Sequence, residues 1–444
     1  MAEPGQFAPV ESTGPARGRL NEFQRTMLQW TGLHPYNAVH VAKIDFEIEQ
    51  ERFRDCARHV LVTAGLTNYS LDERRGTFRY EGGPAEIEVR EFSDGDEAEA
   101  VVFREMQRQL NEGFAYGECF QPFRFFLVAG NGVSYVGLAY FHVVADAESI
   151  GRLLLEILAA CGDKVPGPLR DGGMSRRGSS RIPLGGPWAA LKRLRGAFRK
   201  FQAMRQSHRS PPSRVESYDN AWFPRNLDEQ ASARILAEAK GRGVPLNDLC
   251  LAALLIAVIP AASLRFERRR RHLSVGCVVN LRRDIPEARR DDFGLFLGSF
   301  AVTHPTPVDI SLGEILASVH HQTKVIKRDR LYLASRLEFR ANRFLFSRQR
   351  PEQQRHFYRK AYPVWGSITN FRMDKETGGP GGVIRDYFRA VSAGPALALV
   401  VGITGFAGRL NFGFTYRPDS ISREAVEEIA DRLLSLLSGK GDVA

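Results

Sequence analysis

The sequence predicts an α+β protein of two lobes, and three observations carry that expectation. The chain has 444 residues, 43% of them apolar, enough to bury more than one domain-sized core. Strand and helix patterns occur in both halves without strict alternation, which argues against a doubly wound α/β sheet. Between Pro166 and Pro212 the composition shifts to Gly, Pro, Ser and Arg, dividing the chain into a first lobe over 1–165, a basic linker over 166–214 and a second lobe over 215–444.

In the first lobe, Val39 to Ile48 alternates as a half-buried strand, and Gln50 to Thr63 follows with helical spacing of Phe53, Ala57 and Val60. Short strands are expected at Thr77 to Tyr80 and Ile87 to Arg90, then a helix from Ala98 to Leu110. Phe123 to Val128 and Ser134 to Tyr140 read as a hairpin, because Asn131-Gly132 between them suits a tight turn. After His142, Ala147 to Ala160 is helical.

The linker contains PWAALKRLRGAFRKFQAMRQ. On a helical wheel Leu191, Leu194, Phe198 and Phe201 share one face, with Lys192, Arg195, Arg199 and Lys200 largely opposite. The expectation is that this apolar stripe packs on the protein; the alternative is attachment of 185–206 to an anionic membrane surface or an acyl carrier protein. The formal net charge of +11 equals the eleven basic residues between Asp171 and Glu216, a stretch with no acidic residue. Charge confined to a linker, without zinc-finger spacing or RNA-binding aromatic patterns, argues against nucleic acid as a partner.

The second lobe begins with a strand near Val215 to Phe223 and a helix from Leu227 to Lys240. Leu249 to Leu264 is the most apolar stretch; it is short for a bilayer span and reads as a buried helix. Strands follow at Leu273 to Asn280 and Leu297 to His304, and helices from Leu312 to Lys327 and Leu331 to Phe346. Strands at Val364 to Phe371, Ala396 to Thr404 and Gly408 to Tyr416 precede a last helix, Ser422 to Leu437. Five cysteines without metal or redox spacing, and an N-terminus without a signal-peptide pattern, fit a reduced cytoplasmic protein, with peripheral membrane attachment as the variant.

The chemistry concentrates in SYVGLAYFHVVADAESIGRLL, where an apolar strand ends at His142 and a helix begins after Asp146. Of the ten histidines only His142 has an aspartate four residues on. A strand end sets a side chain at the mouth of a sheet, and imidazole is suited to take a proton near neutral pH. The spacing alone leaves a plainer reading open: an interior histidine beside an Asp146 that caps the helix.

His142-xxx-Asp146-Ala-Glu-Ser149 resembles the HHxxxDGxS motif of nonribosomal-peptide condensation domains, wax ester synthases and polyketide-associated acyltransferases. Chloramphenicol acetyltransferase and plant BAHD enzymes carry it with one histidine. Here Phe141 stands in place of the first histidine and Ala147 in place of the glycine. The similarity continues in order through Leu20 to Gln24, Val244 to Asp248, Val278 to Arg283, Phe293 to Ser299 and Gly366 to Asn370.

The resemblance implies two chloramphenicol acetyltransferase-like lobes forming a V-shaped pseudo-dimer with a central tunnel. Within it His142 is the catalytic base, and Asp146 is a structural aspartate paired with Arg282, or failing that Arg283. Ser367 and Asn370 are candidates for the oxyanion or the tunnel. The implied activity is O- or N-acyl transfer to an alcohol or amine acceptor from acyl-CoA or a phosphopantetheinyl carrier thioester. No metal and no tightly bound cofactor are expected, and the protein is expected to be a monomer. The alternative is a non-catalytic protein that binds an acylated carrier or partner in the same cleft.

Overall fold

The computed structural model describes residues 16–93, 97–162, 186–211, 219–263, 270–285, 292–306, 311–373 and 383–439. The first half contains β1 (Ala16–Arg19), α1 (Glu22–Thr31), β2 (Asn37–Ile44), α2 (Gln50–Thr63), β3 (Tyr69–Asp72), β4 (Thr77–Tyr80), β5 (Val89–Ser93), α3 (Ala98–Asn111), β6 (Phe123–Gly130), β7 (Val133–Phe141) and α4 (Ala147–Cys161). The linker helix is α5 (Pro187–Arg205). The second half contains β8 (Ala221–Asn226), α6 (Glu229–Gly241), α7 (Leu246–Ala257), α8 (Ile259–Ser263), β9 (His272–Asn280), β10 (Leu297–Pro305), α9 (Leu312–Arg328), α10 (Ser335–Ser347), α11 (Pro351–Ala361), β11 (Gly366–Arg372), β12 (Ile384–Val391), β13 (Leu399–Phe406), β14 (Arg409–Tyr416) and α12 (Arg423–Leu437).

The mixed α+β class holds, with one large sheet in each half. The first runs β12-β2-β7-β6-β5 and the second β10-β9-β11-β13-β14-β8. The β6-β7 hairpin closes at Gly132, whose φ of 71° is open to glycine without strain. Apolar residues on the two faces of the first sheet meet different helices. Ala42, Ile44 and Leu138 join Phe53, Ile150 and Leu154 of α2 and α4, while Val41, Phe126 and Ala139 join Val102 and Met106 of α3. The second sheet is covered by α7, α9 and α12, and α7 is buried from Asp248 to Ala257, as its unbroken apolar run requires.

One strand breaks the two-lobe division. Ile384–Val391 falls inside 215–444, yet it pairs antiparallel with β2 at the edge of the first sheet. Its backbone also lies over the paired glycines of β13 and β14. A Cβ on Gly413 would stand 2.7 Å from both the Arg389 carbonyl oxygen and Trp222 Nε1. Neither atom is a flexible side-chain end, so Gly413→Ala should force the crossing strand away. We expect a loss of about 1–3 kcal/mol, read as a lower urea midpoint.

The linker helix corrects another expectation. Leu191 and Phe198 are 57% and 59% exposed, Leu194 is exposed too, and Trp188 is 85% exposed. Of the expected stripe only Phe201 turns inward, half-buried beside Ala197 and Met204, which form the docking face with Gly196 against Leu331. Close approach to Leu331 at Gly196 and Ala197 decides the docking side, whereas the wheel ranks faces by hydropathy alone. Lys192 pairs with Asp329 at 3.0 Å and so helps fix the helix by its polar side. The linker's Gly- and Pro-rich flanks, and the start of the strand expected at Val215, lie outside the described residues.

Candidate active site at the lobe junction

His142 follows β7 directly, and its ring is buried at 7% exposure between Tyr36, stacked at 5.5 Å, and the edge of Tyr140 at 5.4 Å. Its Nδ1 lies 3.1 Å from the Ala145 carbonyl oxygen. A carbonyl only accepts, so Nδ1 carries the proton and Nε2 is left with a free lone pair. Burial pushes the imidazole pKa down to about 4, with the nearby Arg389 charge adding to the effect; the Ala145 bond and the Asp146 carboxylate oppose it only in part. The ring is therefore neutral and able to take a proton across the neutral range.

Asp146 serves two functions at once. As N-cap of α4 its Oδ1 accepts from the Ser149 amide at 3.0 Å, the plainer reading of the spacing. It also meets Arg282 in a two-point pair, Nη1 to Oδ2 at 2.7 Å and Nη2 to Oδ1 at 3.0 Å. The Phe296 amide donates to Oδ2 at 3.0 Å, and Arg282 Nη2 donates to Ser149 Oγ at 2.8 Å. Asp146 is 1% and Arg282 6% exposed. Burial works against the Arg282 charge, but Asp146 outweighs it and its pKa lies above the ordinary value. Arg283, the second choice as partner, points to solvent.

The motif turn is held from further sides. Gly294 accepts from the Asp146 amide and from Ser149 Oγ, both at 3.0 Å. Gln24 Nε2 donates to the Val143 carbonyl at 2.8 Å, and Asn21 Nδ2 to that of Leu295 at 2.9 Å. Thus the Leu20–Gln24 and Phe293–Ser299 stretches both meet the His142 turn. Ala147 is the first residue of α4 and has no positive φ, so the backbone there does not require glycine.

His142 lines a cleft of about 1370 Å³, its open mouth included. Both halves contribute: Trp30, Tyr36 and Tyr140 from the first, Cys277, Ser299 and Tyr362 from the second. Ser367, buried, and Asn370, exposed, line the same cleft from β11. The lining is mostly apolar and aromatic, suited to acyl chains. Sequence reasoning missed Tyr36, Tyr140 and Arg389. Only the strand pattern could have found the tyrosines, since β2 and β7 pair next to them.

No family model matches the sequence, and no curated protein is significantly similar to it. Solved structures are. The condensation domain of Monacolin K polyketide synthase superposes with a TM-score of 0.66 at 12% identity, over 97% of this chain and 98% of that one. The first condensation domain of the calcium-dependent antibiotic synthetase, in complex with a substrate analogue, gives 0.67 at 14% identity, over 97% of each chain. This chain has the condensation-domain fold. The epimerization domain of the third module of tyrocidine synthetase B also shares it, with a TM-score of 0.63 at 14% identity over 98% of each chain.

Proposed function

We propose that the protein transfers an acyl group from a phosphopantetheinyl thioester, on CoA or on a carrier protein, to an amine or hydroxyl acceptor. The observation that carries this reading is the buried, neutral His142, with Nδ1 bound to Ala145 and Nε2 free, lining an apolar cleft at the junction of the lobes. A thioester carbonyl is already electrophilic, so the protein's task is to align two reactants and supply a base. His142 Nε2 takes the acceptor proton as nitrogen or oxygen attacks the carbonyl. The C–S bond then breaks, and the imidazolium returns the proton to the thiolate. Ser367 and Asn370 are the candidate donors to the oxyanion. Asp146 and Arg282 set the turn and do not touch substrate.

The test is thiol release from acyl-CoAs and acylated carrier proteins of graded chain length, with mixed amines and alcohols. Release that depends on chain length and acceptor supports transfer. Binding of the acylated carrier without release, under every acceptor, favours the non-catalytic alternative.

The outward stripe on α5 fits an anionic lipid surface. Trp188, Leu191 and Phe198 are exposed beside Arg195 and Arg199, and the helix has no acidic residue. Bulky apolar and basic groups together suit the boundary between headgroups and acyl chains. We expect the protein to sediment with vesicles containing phosphatidylglycerol but not with pure phosphatidylcholine. Trp188 emission should shift to the blue on binding. Both signals should vanish in Leu191→Ser/Phe198→Ser, with turnover of soluble thioesters unchanged. Equal sedimentation of parent and variant, or the same stripe engaging only an acidic carrier protein, would rule out the lipid surface.

A further inference from the structure

Arg389 is a charge that the acyl-transfer reading leaves unused. It sits on β12, pairs in register with His40, and projects among residues of both sheets. Its side chain is buried and lines the cleft with His142. Among the described residues its hydrogen bonds both come from Nη2, to the carbonyl oxygens of Thr369 at 2.9 Å and Ile403 at 3.4 Å. Nε has no partner, and among the described residues no carboxylate pairs with the guanidinium.

The other buried arginines around the first sheet and the motif are paired differently. Arg282 meets Asp146, Arg152 lies 3.4 Å from Glu148, and Arg124 lies 3.3 Å from Glu112. The carboxylates that line the cleft, Asp146 and Glu148, are thereby already engaged. A guanidinium removed from water without a counter-charge is costly, and two carbonyl dipoles offset that only in part. Burial lowers its pKa to about 10, so it still carries its charge at neutral pH. That charge acts on His142, His40 and Tyr140. The cleft therefore has a fixed positive centre near the candidate base, in a mostly apolar lining whose two carboxylates already face other arginines.

We infer that Arg389 binds a carboxylate of the acceptor, which makes the acceptor a free amino acid or hydroxy acid whose amine or hydroxyl reaches His142 Nε2. This rests on the acyl-transfer reading and narrows it. An acceptor held on a carrier has its carboxyl converted to a thioester and offers Arg389 no anion; an untethered acid does. In the transfer, the acceptor N–H or O–H bond breaks and the new C–N or C–O bond forms. The C–S bond breaks, the thiol leaves with the proton passed through His142, and the acceptor carboxylate stays ionised throughout.

Product-like probes test the anchor without turnover. N-hexanoyl derivatives of glycine, valine and phenylalanine, each as free acid and as carboxamide, are titrated into the full chain by calorimetry. The parent protein should bind at least one acid about tenfold or more tighter than its amide, since an ionised partner gives the stronger hydrogen bonds. Arg389→Gln should abolish that ratio and Arg389→Lys should keep part of it. An arginine that only ties β12 to the second sheet would lower thermal stability on substitution, while the parent bound acid and amide alike. Equal affinities in the parent overturn the anchor even if no variant folds. Thiol release without discrimination between acid and amide acceptors overturns the anchor alone. Absence of both release and binding removes the acyl-transfer reading with it.

Discussion

Arg282→Ala should cost more folded protein than any other single change near the cleft. Removing the guanidinium leaves the Asp146 carboxylate, 1% exposed, with its cap to Ser149 and the Phe296 amide but no counter-charge. Breaking a buried pair from one side costs roughly 3–5 kcal/mol. The loss is compounded here because Arg282 Nη2 also holds Ser149 Oγ and the Asp292 carbonyl. Four stretches converge on this pair: the His142 turn, α4, the Arg282 turn after β9, and Asp292 to Phe296. The expected result is a melting temperature lower by about 3–5 °C, or no soluble protein. Arg282→Lys should recover only part of this, since an ammonium cannot make the two-point pair. Arg283→Ala, at an exposed site, should melt with the parent. Thermal melts equal for Arg282→Ala and His142→Ala would contradict the assignment of the pair.

How much of this could be read beforehand depends on where the information lay. The β6-β7 hairpin announces itself through Asn131-Gly132, and α7 through an apolar run that no surface helix could carry. Both are local signals. Ile384–Val391 has none: Arg385, Asp386 and Arg389 interrupt its alternation, and Asp386 and Arg389 find their partners only when the strand crosses to β2. Nothing in periodicity says that a strand will leave its own half. The polar helix α11, RPEQQRHFYRKA less its first residue, is hidden for a related reason. Its docking side chains, such as Tyr358 bonded to Gln29 at 2.6 Å, are amphipathic and do not form an apolar stripe.

The candidate site divides in the same way. His142 and Asp146 were legible as a spacing within one strand-to-helix turn, but the spacing could not separate a helix cap from an ion-pair partner. The structure resolves this by making Asp146 both, one oxygen capping α4 while both oxygens receive Arg282. Arg282 lies 136 residues away, beyond the reach of any local pattern, and only the ordered resemblance along the chain pointed to it. Arg389 belongs to no motif quoted from the sequence. Its distinction is that no carboxylate among the described residues pairs with it, where Arg282, Arg152 and Arg124 each have one, and that is a property of the folded cleft.

His142→Ala should separate chemistry from folding. The ring is stacked on Tyr36 and, among the described residues, bonded only to the adjacent turn, so its loss leaves a small cavity and no unpaired charge. General-base catalysis contributes about 10²–10⁴-fold, and kcat/KM for thiol release should fall by that order while the melt stays closer to the parent's than that of Arg282→Ala. The pH dependence is a second signature. With the folded pKa near 4, activity should be flat through neutral pH and fall only on the acid side, with an apparent pKa near 4 where folding permits. A limb near 6.5 would mean that the reacting imidazole is not in this environment. Stability carries the same sign. The folded ring binds fewer protons than the unfolded one between about pH 4 and 6.5, so parent stability should rise with pH across that window and drop as acid is added. His142→Ala removes this linkage, and its stability should be flatter over the same range. An unchanged slope, together with unchanged turnover, would place the base elsewhere in the cleft.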